Sequence, residues 1–108
     1  MRSWLALLVV VPVPAQAELQ MITARYACER AVEVPATYVN ADDQSVVTLT
    51  VEGRQISLYV EASASGARYG WPSDGSNYVW WTKGREATLY WKNETGVETP
   101  ILSACRQQ

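Results

Sequence analysis

Apolar and polar residues alternate with a period of two through the middle of the chain. Val47, Leu49 and Val51 fall on one face, and Thr48, Thr50 and Glu52 on the other. Ile56, Leu58 and Val60 then oppose Gln55, Ser57, Tyr59 and Glu61, and Ala87, Leu89 and Trp91 oppose Thr88, Tyr90 and Lys92. This period marks β-strands with one buried face, because successive side chains on a strand point to opposite sides of the sheet. Glu52-Gly53, between the first two runs, predicts a tight hairpin turn in which Gly53 supplies a positive φ. The whole chain resolves into eight candidate strands, 23–30, 34–40, 45–52, 54–62, 65–71, 77–82, 85–92 and 100–106. Residues 18–22 are expected to be a loose lead-in, and 40–43, 72–76 and 93–96 read as loops. No internal repeat, low-complexity tract or amphipathic helix stands out. Strands so short and closely spaced predict an all-β barrel or sandwich, and the pattern leaves those two open.

The first residues break this pattern and read as a secretory leader. Arg2 supplies a positive start, Trp4 to Val13 is an apolar stretch too short for a stable membrane anchor, and Ala15-Gln16-Ala17 forms an A-x-A cleavage site. The expected division is therefore a cleaved signal peptide, 1–17, and one mature domain, 18–108, beginning at Glu18. A lipoprotein would need a cysteine at the cleavage point, but the first is Cys28, so no membrane anchor is expected. Cys28 and Cys105 lie near the two ends of an exported domain and are expected to pair.

Composition removes several function classes. The formal net charge is −2, which disfavours nucleic acid and suits a basic protein partner. There is no histidine, so a Ser-His-Asp triad is excluded, and two distant cysteines without histidine make a poor metal set. No catalytic residue, metal or cofactor is expected. Asp42-Asp43 reads as a pair of turn acids, Asn93-Glu94-Thr95 as a chance glycosylation sequon, and no glycine-rich phosphate cradle is present.

Two short motifs remain, Ser65-Gly66-Ala67-Arg68-Tyr69 and Tyr78-Val79-Trp80-Trp81-Thr82-Lys83-Gly84. In this order, between flanking cysteines and inside a barrel-like strand pattern, S-G-x-x-Y followed by Y-x-x-x-T-K-G resembles the periplasmic and membrane-bound inhibitors of c-type lysozyme, the MliC/PliC family. The resemblance runs from about Tyr26 to Cys105. It implies a small eight-stranded antiparallel β-barrel with one disulfide, and so resolves barrel against sandwich. It implies a protein that plugs another protein's active site without chemistry of its own. Ser65 and Lys83 would be the pair entering the lysozyme cleft, with Gly66, Arg68, Tyr69, Tyr78, Thr82 and Gly84 completing the lysozyme-binding set. A leader without a lipidation cysteine points to the soluble branch in the periplasm of a Gram-negative bacterium.

The residues fit that chemistry. Lys83 is expected at the second position of a Thr82-Lys83-Gly84-Arg85 turn, at a hairpin tip, and the small Ser63-Ala64-Ser65-Gly66 run lets the backbone approach a partner closely. A c-type lysozyme works with one protonated and one ionised carboxyl group. A hydroxyl can bond either, and an ammonium pairs with the ionised one. Tyr78, Trp80 and Thr82 share one strand face and Val79, Trp81 and Lys83 the other, so one of the two adjacent tryptophans must point inward. Trp71, beside Pro72, is expected on a loop near the site, and Arg68 either braces the Ser65 loop or meets the partner. Two alternatives come from other classes. One is a hydrolase using Ser65 and Lys83 as a nucleophile–base dyad, which needs a desolvated lysine. The other is a cell-wall sugar-binding module using exposed tryptophans.

Overall fold

The computed structural model describes residues 8–10 and 18–108. The proposed signal peptide and its cleavage site lie outside the described residues, apart from the exposed Leu8, Val9 and Val10. Residues 20–107 form a closed barrel of eight antiparallel strands in sequence order. They are β1 (Gln20–Ala27), β2 (Glu33–Asn40), β3 (Ser45–Val51), β4 (Arg54–Glu61), β5 (Ala67–Gly70), β6 (Asn77–Lys83), β7 (Glu86–Lys92) and β8 (Glu98–Gln107). Because neighbours run in opposite directions, the β2–β3, β4–β5 and β6–β7 connections emerge at one end of the barrel. The other connections emerge at the opposite end.

The alternation read from sequence sets the inner wall. Val47, Leu49, Ile56, Leu58, Ala87 and Leu89 are buried as expected. Val60 and Trp91 are not: they are 40% and 38% exposed, because both lie toward strand ends, beyond the filled middle of the barrel. Trp80 is the inward tryptophan, fully buried, edge-on to Tyr26 at 5.1 Å. Its indole N–H donates to Tyr38 Oη at 3.0 Å, and the Tyr26 and Tyr38 hydroxyls share a bond of 2.7 Å. The largest core side chain thus buries no idle polar atom.

Several boundaries move for identifiable reasons. The expected lead-in is partly strand, since Gln20, Met21 and Ile22 pair with Asn40, Val39 and Tyr38 of the long β2. β1 stops at Ala27 because residues 29–31 form a 3₁₀ turn in which Arg30 and Ala31 both adopt φ 57. β5 begins only at Ala67, because Gly66 sits at φ +67 and breaks the extended run expected from 65. At Glu52-Gly53 both residues have positive φ, 48 and 80, the pattern of a type I′ hairpin turn.

Closure between β1 and β8 rests on two register pairs, Tyr26 with Gln107 and Ala27 with Arg106. The disulfide Cys28–Cys105 sits at this thin seam. It encloses a separation of 77 residues, for which chain entropy alone gives up to about 4.5 kcal/mol.

Candidate functional site

The two motifs meet at one rim of the barrel. Ala67 pairs with Thr82, Arg68 with Trp81 and Tyr69 with Trp80, so β5 and β6 run side by side as they leave the barrel. Ser65 precedes the first of these pairs and Lys83 follows it, which puts both at the same end. Thr82 Oγ1 donates to the Ala67 carbonyl at 3.4 Å. The Ser65 carbonyl accepts from Ser63 Oγ at 2.6 Å and from the Trp81 indole at 3.0 Å. Gly66 passes so close to β6 that a Cβ there would stand 2.2 Å from the Thr82 carbonyl oxygen. Glycine is therefore required at 66 by space as well as by its positive φ.

The β6–β7 hairpin differs by one position from the expected turn. Lys83 pairs with Glu86 and closes the hairpin, and Gly84-Arg85 forms its two-residue loop. The positive φ falls on Gly84, the first loop residue, at 59. Lys83 thus stands at the end of a paired strand rather than in the turn, and β6 fixes where its stem begins. Its side chain is exposed and has no ion pair among the described residues. Ser65 is also exposed, and its hydroxyl makes no hydrogen bond to the described residues. An unpaired ammonium and an unpaired hydroxyl on one rim are donors suited to carboxyl groups.

The other candidate residues divide. Tyr69 is 6% exposed and faces the core, its ring 5.6 Å from Tyr38, and burial raises its pKa above the ordinary phenol value. It supports the rim from inside. Arg68 is a clamp: Nε donates to Glu61 at 2.5 Å and Nη2 to Glu98 at 2.6 Å. Burial works against its charge, yet the bonds to Glu61 and Glu98 outweigh that and raise its pKa. Tyr78 is not brought to this rim. It is the second residue of β6, five residues from Lys83 and roughly 16 Å away along the strand. There its hydroxyl accepts from Arg54 at 3.1 Å and its ring packs edge-on to Trp91 at 5.0 Å. It lines a cavity of about 300 Å³ at the opposite mouth of the barrel. Trp71 is likewise elsewhere: it follows β5 whereas Ser65 precedes it, and its ring packs on Tyr59 at 5.5 Å.

The sequence points to Ser63 only as part of a small polar run, and to Glu61 and Glu98 not at all as partners of Arg68. The small polar run at 63–66 was a visible signal for Ser63. Nothing local could pair Arg68 with Glu98, 30 residues away. The dyad alternative finds little support, because the exposed Lys83 lacks the desolvation that would make it a base. The described residues hold no group of three or more His, Cys, Asp or Glu arranged for a metal ion.

Comparison with known proteins gives the family and supports the fold. Residues 26–98 match the family described as MliC, membrane-bound lysozyme-inhibitor of c-type lysozyme. A membrane-bound lysozyme inhibitor of C-type lysozyme from Pseudomonas aeruginosa is 35% identical, over 88% of this chain and 72% of that protein. One from Cupriavidus necator is 33% identical, over 76% of this chain and 62% of that protein. Among solved structures, P. aeruginosa MliC in complex with hen egg white lysozyme superposes with a TM-score of 0.66 at 26% identity, covering all of both chains. On the family match, the sequence identities and the shared fold together, this chain belongs to the MliC family of membrane-bound lysozyme inhibitors of c-type lysozyme.

Proposed function

We propose that this chain is a proteinaceous inhibitor of c-type lysozyme, a binding protein and not an enzyme, which inserts its Ser65 loop and Lys83 hairpin end into the lysozyme cleft. The observation that carries the reading is the pairing of an unpartnered Ser65 hydroxyl with an unpartnered Lys83 ammonium on one rim, in a fold whose solved relative was captured with hen egg white lysozyme. The lysozyme cleft holds one protonated and one ionised carboxyl. Lys83 neutralises the ionised group, and Ser65 donates to a carboxylate or accepts from a carboxylic acid. Occupying both removes the general acid and its partner from sugar chemistry and fills the space of the glycan. Gly66 and Gly84 bring backbone close to the cleft wall. Thr82, Arg68 and Tyr69 hold the rim from beneath, and Tyr78 stays outside the contact. The net charge of −2 suits approach to a basic enzyme.

The relatives are membrane-bound inhibitors from Gram-negative bacteria, which supports an envelope location. The leader-like residues 1–17 support release of a soluble chain into the periplasm. A lysis assay tests the function: the purified protein should abolish hen egg white lysozyme activity at near-stoichiometric ratio, and Lys83→Ala should not. Full inhibition by Lys83→Ala would refute the plug. Terminal sequencing of protein recovered from the periplasm should begin at Glu18.

A further inference from the structure

The Ser65 loop is tied to the barrel before any partner arrives, and the tie runs through a residue that the plug reading does not use. The Ser65 carbonyl oxygen has two lone pairs, and both are occupied, by Ser63 Oγ at 2.6 Å and Trp81 Nε1 at 3.0 Å. The Ser63 bond is local, between residues two apart, and shapes the loop upon itself. The Trp81 bond spans 16 residues and fastens that shape to β6. Trp81 lies on the strand face opposite the fully buried Trp80 and is only partly buried, so the ring is not needed to fill the core. The next residue, Thr82, meets Gly66 through its carbonyl oxygen and Ala67 through its hydroxyl. Ser65, Gly66 and the first β5 residue, Ala67, are thus seated on two consecutive residues of the strand that ends in Lys83.

We propose that Trp81 is a positioning residue for inhibition: its indole N–H sets the Ser65 carbonyl, and so aims the Ser65 hydroxyl, at a fixed offset from Lys83. The inference rests on the lysozyme reading above. A preset loop loses less freedom on binding than one that must be ordered by its partner. The spacing of the hydroxyl from the ammonium then matches a carboxyl pair without rearrangement. It also accounts for an aromatic donor on a strand face where apolar packing alone would not require one.

Trp81→Phe in the full mature protein removes the N–H and keeps a ring on the same face. Affinity for hen egg white lysozyme, measured by calorimetry, should fall about tenfold, the worth of one typical hydrogen bond. Amide exchange at Gly66 and Ala67 in the free protein should accelerate while exchange in β3 and β4 stays at the parent rate. In a Ser65→Ala background the same substitution should change affinity by less than about threefold, because it acts through Ser65. A merely structural tryptophan would weaken binding equally in both backgrounds. That result overturns the proposal, as does parent affinity with parent exchange. Should Trp81→Phe fail to fold, replacing Trp81 by β-(3-benzothienyl)alanine, which keeps the bicyclic ring and removes only the N–H, carries the same test. If Ser65→Ala and Lys83→Ala both bind like the parent, the lysozyme reading fails by itself, and loop exchange in Trp81→Phe still decides whether Trp81 holds the loop.

Discussion

Adding one methyl group at Gly66 should disable inhibition while sparing the fold. Gly66 has φ +67, where a residue with a Cβ carries strain of about 1–2 kcal/mol. The same left-handed strain applies at Gly53, φ +80, in the β3–β4 turn at the opposite end of the barrel, where an added Cβ meets nothing within 4 Å. At Gly66 the Cβ would lie 2.2 Å from the Thr82 carbonyl oxygen, against ordinary contact at 3.4 Å, so the loop must retreat by about 1.2 Å. Such a retreat separates Ser65 from the Trp81 indole and moves its hydroxyl out of bonding range of a carboxyl group. A hydrogen bond to a charged group is worth about 1.5–3 kcal/mol, so affinity should drop roughly ten- to a hundredfold. Residue 66 is exposed and precedes β5, so global stability should fall by no more than about 2 kcal/mol. Gly53→Ala is the matched control, with left-handed strain, no collision and no place in the proposed contact. Measuring lysozyme affinity and urea midpoints for both variants separates strain from displacement. Equal affinities for Gly66→Ala and Gly53→Ala would refute the claim that contact with Thr82 sets the loop.

Three further outcomes follow from the same structure. Lys83→Ala should change stability by less than about 0.5 kcal/mol, since the side chain is exposed and unpaired, yet weaken lysozyme binding by about 2–5 kcal/mol, read by surface plasmon resonance as faster dissociation. Replacing Cys28 and Cys105 together by serine should lower stability by up to about 4.5 kcal/mol in denaturant titrations, because β1 and β8 are otherwise joined by two register pairs. Tyr38 and Tyr69 have folded-state pKa values raised above 10.0, chiefly by burial, so their contribution is complete below about pH 10 and is lost as pH rises further, when the unfolded chain releases those protons first. Tyrosinate absorbance should therefore show a late alkaline step coincident with unfolding; independent, reversible titration of every tyrosine near pH 10 would contradict it.

The number of strands, most of the inner wall, the turn at Glu52-Gly53, the pairing of Cys28 with Cys105 and the two motifs can be read from the chain alone. These features are legible because they are local: side-chain alternation, the φ preference of glycine and the scarcity of cysteine act over a few residues or have one solution. Packing around the closed barrel settled the rest. It chose Trp80 over Trp81 for the core, sent Tyr78 and Trp71 away from Ser65, and closed Arg68 between Glu61 and Glu98. Each of those outcomes depends on how strands are staggered around a closed barrel. Stagger is fixed by the sum of all eight registers and by core packing, so residues 16 or 30 apart meet without any trace in the pattern near either one. The site is divided in the same way: the donors Ser65 and Lys83 were written in their motifs, while the seating of one beside the other came from the β5–β6 register and the collision that only glycine avoids.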